Sequence, residues 1–175
     1  MRRLVASGLF LAWLANDIEE WITVSRWSER DAGTSPARRI GLPWLRRPVP
    51  AAHMRVAIGL MGTLVATASL VGLRTGGRSR LFQAALFGFG VHGLGHLALS
   101  VVHRGYTPGV LTAPTVVVPF SVWAWRELRR AGVRLPTGQV AREAMILLPA
   151  ALGATHAAAG WSVRHRHLPD ADSAV

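Results

Sequence analysis

The stretch Asn16-Asp17-Ile18-Glu19-Glu20-Trp21, NDIEEW, decides how this chain folds. It follows twelve apolar or small residues, LVASGLFLAWLA (4–15), and precedes ITV (22–24), so three carboxylates interrupt an otherwise apolar run. An ionised group at membrane depth costs ~2.5–3.5 kcal/mol even on lenient scales, so such a segment must find partners or protons for its acids. Two readings are open. In one the helix ends at Asn16 and the acids sit among lipid headgroups; in the other the helix continues and delivers them to an internal site. On a continuing helix Asn16, Glu19 and Glu20 share one face at i, i+3 and i+4, with Asp17 to one side near Glu20.

The rest of the chain argues for a membrane protein. Half of its 175 residues are hydrophobic and 17% are charged, too few charges for an ordinary soluble domain. Four further segments approach the ~20 apolar residues that cross a bilayer: 56–73, 81–102, 108–125 and 144–163, none with Asp, Glu or Arg. With 4–24 they predict an all-α, polytopic transmembrane helical bundle of about five spans, residues 1–167 forming one domain and 168–175 a disordered tail. Pro114 and Pro119 make 108–125 the weakest helix, and Pro149 is expected to kink the last one. Trp21, Trp44, Trp123, Trp125 and Trp161 fall near span ends, as an interfacial belt requires. The segment 25–55, with four prolines and seven arginines, reads as an irregular stretch at the membrane surface. Cleavage of the N-terminal run as a signal peptide after Ala15 is disfavoured, because bulky Trp13 would stand where a small residue is wanted.

The net charge of +11 comes from twenty arginines. They lie between apolar runs without forming a stripe on one element, so they read as anchors at lipid headgroups and not as a nucleic-acid surface. Retaining 4–24 puts ten on each face of the membrane, and the positive-inside rule then selects neither orientation. The absence of cysteine excludes thiolate metal sites and disulfides.

Partners for the acids exist. His92 and His96 stand at i and i+4 on a ridge of small or polar residues, Ala84, Gly88, His92, His96 and Ser100, with His103 further along it. His156 lies among Gly153, Ala157, Ala159 and Gly160, a surface suited to close helix approach. With five spans the first, third and fifth run in one direction. Glu19 and Glu20 then fall ~8 Å past the midplane, His96 ~7 Å and His156 ~4 Å, all on the same side. Carboxylates with imidazoles and no sulfur suit zinc, iron or manganese. Glu19, Glu20, His92, His96 and His156 are the candidate metal ligands, and Glu19 and Glu20 candidate bases; haem on two histidines competes less well, since it leaves the glutamates unexplained. Tyr106 lies in a Tyr-Thr-Pro-Gly turn near His103, where its phenol is a candidate proton donor.

NDIEEW, followed by VHGLGHLALSVVHRGYTPGVLTA (91–113), resembles the family of small bacterial membrane proteins named for an HXXEE motif, in order and spacing through most of the chain. The resemblance implies a place in the bacterial cytoplasmic membrane and a polar site, and no reaction. At position 16 this sequence has Asn where the motif has His, and Asn is a hydrogen-bonding residue but a poor transition-metal ligand. The leading expectation is a metal-dependent membrane enzyme acting on a lipid or other hydrophobic substrate, with membrane lipids and no nucleic acid as partners. A proton or metal-ion transporter and a non-catalytic membrane assembly protein are the alternatives.

Overall fold

The computed structural model describes residues 1–31, 48–134 and 137–165. Five α-helices account for most of them: α1 (Arg2–Asp31), α2 (Ala51–Thr75), α3 (Arg80–His103), α4 (Val118–Arg130) and α5 (Thr137–His165), with a π-helical turn at Ala113–Val117 leading into α4. Among the described residues there is no strand.

NDIEEW does not end α1, which runs through it to Asp31. No glycine or proline falls between Leu9 and Asp31, and the Thr23 hydroxyl back-bonds to the Glu19 carbonyl at 2.7 Å without interrupting the helix. The two faces of α1 differ sharply. Leu11, Ile18 and Ile22, 63, 50 and 60% exposed, form an outer apolar stripe that continues past the acids, whereas Asn16 and Asp17 are buried. The acids therefore turn toward the bundle at a level where the opposite face is still apolar. That pattern suits a helix in lipid carrying its polar groups inward.

The irregular stretch expected over 25–55 is shorter, because α1 occupies 25–31 and α2 begins at Ala51; 32–47 lie outside the described residues, as does the tail expected at 168–175. The helix expected from 108 begins at 113 instead, since Pro108 and Gly109, the latter at φ 84°, keep 104–112 a loop. Pro114 lies in the π turn, whose wider backbone tolerates a missing N–H. Pro149 sits inside α5, which continues through it as helix. α3 is closed at both ends: the Ser79 hydroxyl caps the Phe82 N–H, and Arg104 takes the left-handed conformation after the last turn.

Close contacts give the helix directions. Trp13 of α1 lies over Gly62 of α2, where a Cβ would approach the indole to 2.7 Å, and Arg55 lies 5.8 Å from the centre of the Trp21 ring, so α1 and α2 are antiparallel. Gly93 of α3 meets Val117, while Gly90 meets Ser121 of α4, so these also run oppositely. α3 and α5 run together, with Arg80 paired to Glu143 near their starts and Gly88 facing Leu148 further on. The sense alternates throughout, and α1, α3 and α5 point the same way.

α2, α3 and the Gly138–His165 part of α5 are each long and apolar enough to cross a membrane. Their outer faces carry exposed Leu60, Leu70, Leu94, Val101 and Ile146, a surface that suits lipid tails and would be an association liability in water. Reporter fusions at the N-terminus and after His165 are expected to lie on opposite sides of the membrane. A same-side result would mean that one of α1 and α4 does not cross.

Candidate metal centre between helices α1 and α3

Glu20 and the histidine ridge of α3 meet. Glu20 Oε1 lies 2.9 Å from His96 Nε2 and 3.4 Å from His92 Nε2, and the two Nε2 atoms are 2.8 Å apart. Measured from the helix midpoints, Glu20, His96 and His156 fall about 5, 7 and 8 Å along their axes in the same direction, so the three helices offer these groups at one level.

Hydrogen bonds serve this triangle only by sharing a proton. A carboxylate only accepts, and each ring has at most one proton on Nε2. If both rings carry that proton, the His92–His96 edge sets two donors against each other. If one carries it on Nδ1 instead, a single proton serves two acceptors. A cation at the centre satisfies all three lone pairs at once. Glu20, His92 and His96 each offer one ligand atom, all within 4.8 Å of one another. Ligands at ~2.0–2.2 Å from a tetrahedral ion lie roughly 3.4 Å apart, the spacing of the Glu20–His92 edge, and the 2.8 and 2.9 Å edges would have to widen by about half an ångström to take one.

Glu19 faces a different target. Its carboxylate accepts from the Tyr106 hydroxyl at 2.8 Å, the Leu111 N–H at 3.3 Å, the Thr112 N–H at 2.9 Å and the Thr112 hydroxyl at 2.7 Å. Those amides open the turn into α4, so Glu19 supplies from α1 the anion that a helix start favours. Trp27 Nε1–H donates to the Tyr106 carbonyl at 3.0 Å and pins the same loop. Burial pushes the Tyr106 phenol up from its ordinary value, a hydrogen bond with Thr23 works against this, and the Glu19 carboxylate adds to it. The phenol thus stays a donor through neutral pH.

The loop in turn seats the imidazoles. Gly109 packs against the His96 ring so closely that a Cβ there would fall 2.5 Å from Nδ1, and its φ of 84° also suits only glycine without strain. Asn16 joins the two glutamate systems: its Nδ2 donates to Glu20 Oε1 at 3.1 Å, and its Oδ1 lies 3.0 Å from the Thr112 hydroxyl, whose one proton it shares with Glu19.

Of the residues singled out from sequence, Glu20, His92 and His96 come together, while Glu19 and Tyr106 form the adjoining clamp. His156 pairs with His53 of α2, Nδ1 to Nε2 at 2.9 Å with the rings stacked, at the edge of a cavity that Glu20 and His92 also line. His103 lies against Trp27, 3.4 Å from Asp31. Sequence reasoning missed Thr112 and Gly109. A threonine at a helix start is a recognisable signal, whereas Gly109 showed only as a turn residue.

A family model described as a protein of unknown function with HXXEE motif matches residues 7–124. The match takes in the Glu20, His92 and His96 cluster and the Glu19 clamp, and leaves α5 outside it. No curated protein and no solved structure matches the chain.

Glu19→Gln turns an amide toward donors that need an acceptor. It should cost about 1.5–3 kcal/mol, read as a lower thermal unfolding midpoint in detergent, and Tyr106→Phe, which removes one donor of four, should cost less. Equal midpoints for the wild type and Glu19→Gln would show that the loop does not depend on this carboxylate.

Proposed function

The chain belongs to the HXXEE-motif family of proteins of unknown function, and from that membership and the site's geometry we propose a five-span membrane protein whose Glu20, His92 and His96 hold a divalent transition metal used on a hydrophobic substrate. The observation that supports this reading is the triangle of one carboxylate oxygen and two Nε2 atoms, whose lone pairs a cation serves at once where a proton has to be shared. Two imidazoles and a carboxylate without sulfur suit zinc, iron or manganese. The spacing favours an ion over haem, because two Nε2 atoms 2.8 Å apart on one helix cannot lie on opposite faces of a porphyrin.

Three protein ligands leave coordination open, the arrangement of a catalytic site more than a structural one. A metal there supplies Lewis acidity toward an oxygen of the substrate. The chain's own groups do the rest: Asn16 orients the Glu20 carboxylate, Gly109 fixes the His96 ring, and the largely apolar cavity beside His92 offers room for an apolar substrate.

Protein purified in mild detergent without chelator should carry on the order of one transition-metal ion per chain. His96→Ala and Glu20→Ala should each lower that content sharply, whereas His165→Ala, at the exposed end of α5, should not. Asn16→His restores the motif residue beside Glu20 and should raise metal retention. Metal absent from both the folded wild type and Asn16→His would overturn the reading.

A further inference from the structure

A cavity of about 280 Å³ lies between α1, α2, α3 and α5. Most of its polar groups, Asp17, Glu20, His92, Thr155 and His156, face it at one end, and Thr67 of α2 stands apart from them. From there the lining is almost wholly apolar back to Leu81, eleven residues or ~16 Å along α3 from His92. Protein interiors leave few voids larger than a water molecule, and this one is bordered by the small side chains of Ala84, Ala85 and Gly88 on α3 and of Ala151 on α5. Its ~16 Å of apolar length along α3 suits one extended hydrocarbon chain.

The cavity also has a way in. Leu64, Leu81 and Leu147, which line it, are 49, 46 and 49% exposed, so it opens on the flank of the bundle, where the five-span reading puts lipid tails. The charges at its inner end select the head of the occupant. Two carboxyl side chains, Asp17 and Glu20, face the cavity, no arginine lines it, and Asp17 makes no salt bridge among the described residues. A phosphate or carboxylate head would meet the Asp17 and Glu20 carboxyl groups with no guanidinium beside them, so that its only cationic partner would be the ion of the metal-centre reading. A hydroxyl fits, because it donates to Asp17 or to the Thr155 oxygen, whose own proton goes to the Leu152 carbonyl, and accepts from an imidazole N–H.

We propose that this cavity is the binding site of a single-chain lipid alcohol, its chain along α3 and α5 and its hydroxyl at Asp17, Thr155 and His92. The inference rests on the metal-centre reading only in making the alcohol that centre's substrate; the binding itself stands on the cavity.

The test uses the full-length protein in mild detergent and a dodecanol carrying a diazirine near the end of its chain. Irradiation should label α3 between Leu81 and Gly88 and α5 between Leu147 and Leu152. Excess dodecanol should compete the label away, and equal dodecanoate or dodecyl phosphate should not. Ala151→Phe and Gly88→Leu should each cut labelling about tenfold while metal content stays at the wild-type level. Competition by the anionic chains as strong as by dodecanol, or no competed label on the wild type, would overturn the proposal, and that readout needs no variant. Labelling undiminished in both cavity-filling variants would overturn it as well. Competed labelling of a metal-free protein would support the alcohol site and sink the metal centre alone, whereas metal without competed labelling would do the reverse.

Discussion

The contact of one α1 carboxylate with two α3 imidazoles is the constraint on which the other features depend. Glu20 lies where the outer face of α1 still carries Ile18 and Ile22, so removing its charge from water has to be offset inside the bundle. His92 and His96 meet it from one turn apart on α3, on the ridge whose Ala84 and Gly88 line the cavity beside them. Gly109 then has to be glycine, because the His96 ring occupies the space of its side chain.

Adjacent glutamates in one motif are often read as a pair with one task. Here their side chains diverge from neighbouring positions on α1, Glu20 to the imidazoles of α3 and Glu19 to the amides that open the turn into α4. The division has a physical reason: both oxygens of Glu19 are taken by four donors from the 106–112 segment, which leaves Glu20 as the carboxylate available to the histidines. Asn16 sits between them and bonds to both Glu20 and Thr112. A histidine at this position could offer one more nitrogen to the same cluster. The asparagine keeps the hydrogen bonds and gives up most of the ligand strength, so the site here has three good donors.

Much of this was legible in the sequence because it depends on helical period and depth. The i, i+3, i+4 spacing of Asn16, Glu19 and Glu20 put them on one face, the i, i+4 spacing of His92 and His96 did the same, and counting along parallel helices brought Glu20 and His96 to one level. Glu19 was harder to place, because its partners include backbone N–H groups, which every residue carries and no residue type advertises. Val110, Leu111 and Thr112 read as the start of a span because they are mostly apolar, whereas the preceding Pro-Gly holds them in a loop. His156 matched the site in depth but faces His53, since rotation about a helix axis is fixed by packing and not by depth. The cavity was invisible for the same reason: small residues at Ala84, Gly88 and Ala151 signal close helix approach as readily as space.

The central claim is that Glu20, His92 and His96 surround one ion. Extended X-ray absorption fine structure at the zinc edge, on wild-type protein reconstituted with one equivalent of zinc, tests it most directly. The account predicts two imidazole nitrogens at ~2.0–2.1 Å with oxygen completing a four-coordinate shell, and the loss of one imidazole from that shell in His92→Ala. A shell of oxygen alone, or an imidazole count that His92→Ala and His96→Ala both leave unchanged, would contradict it.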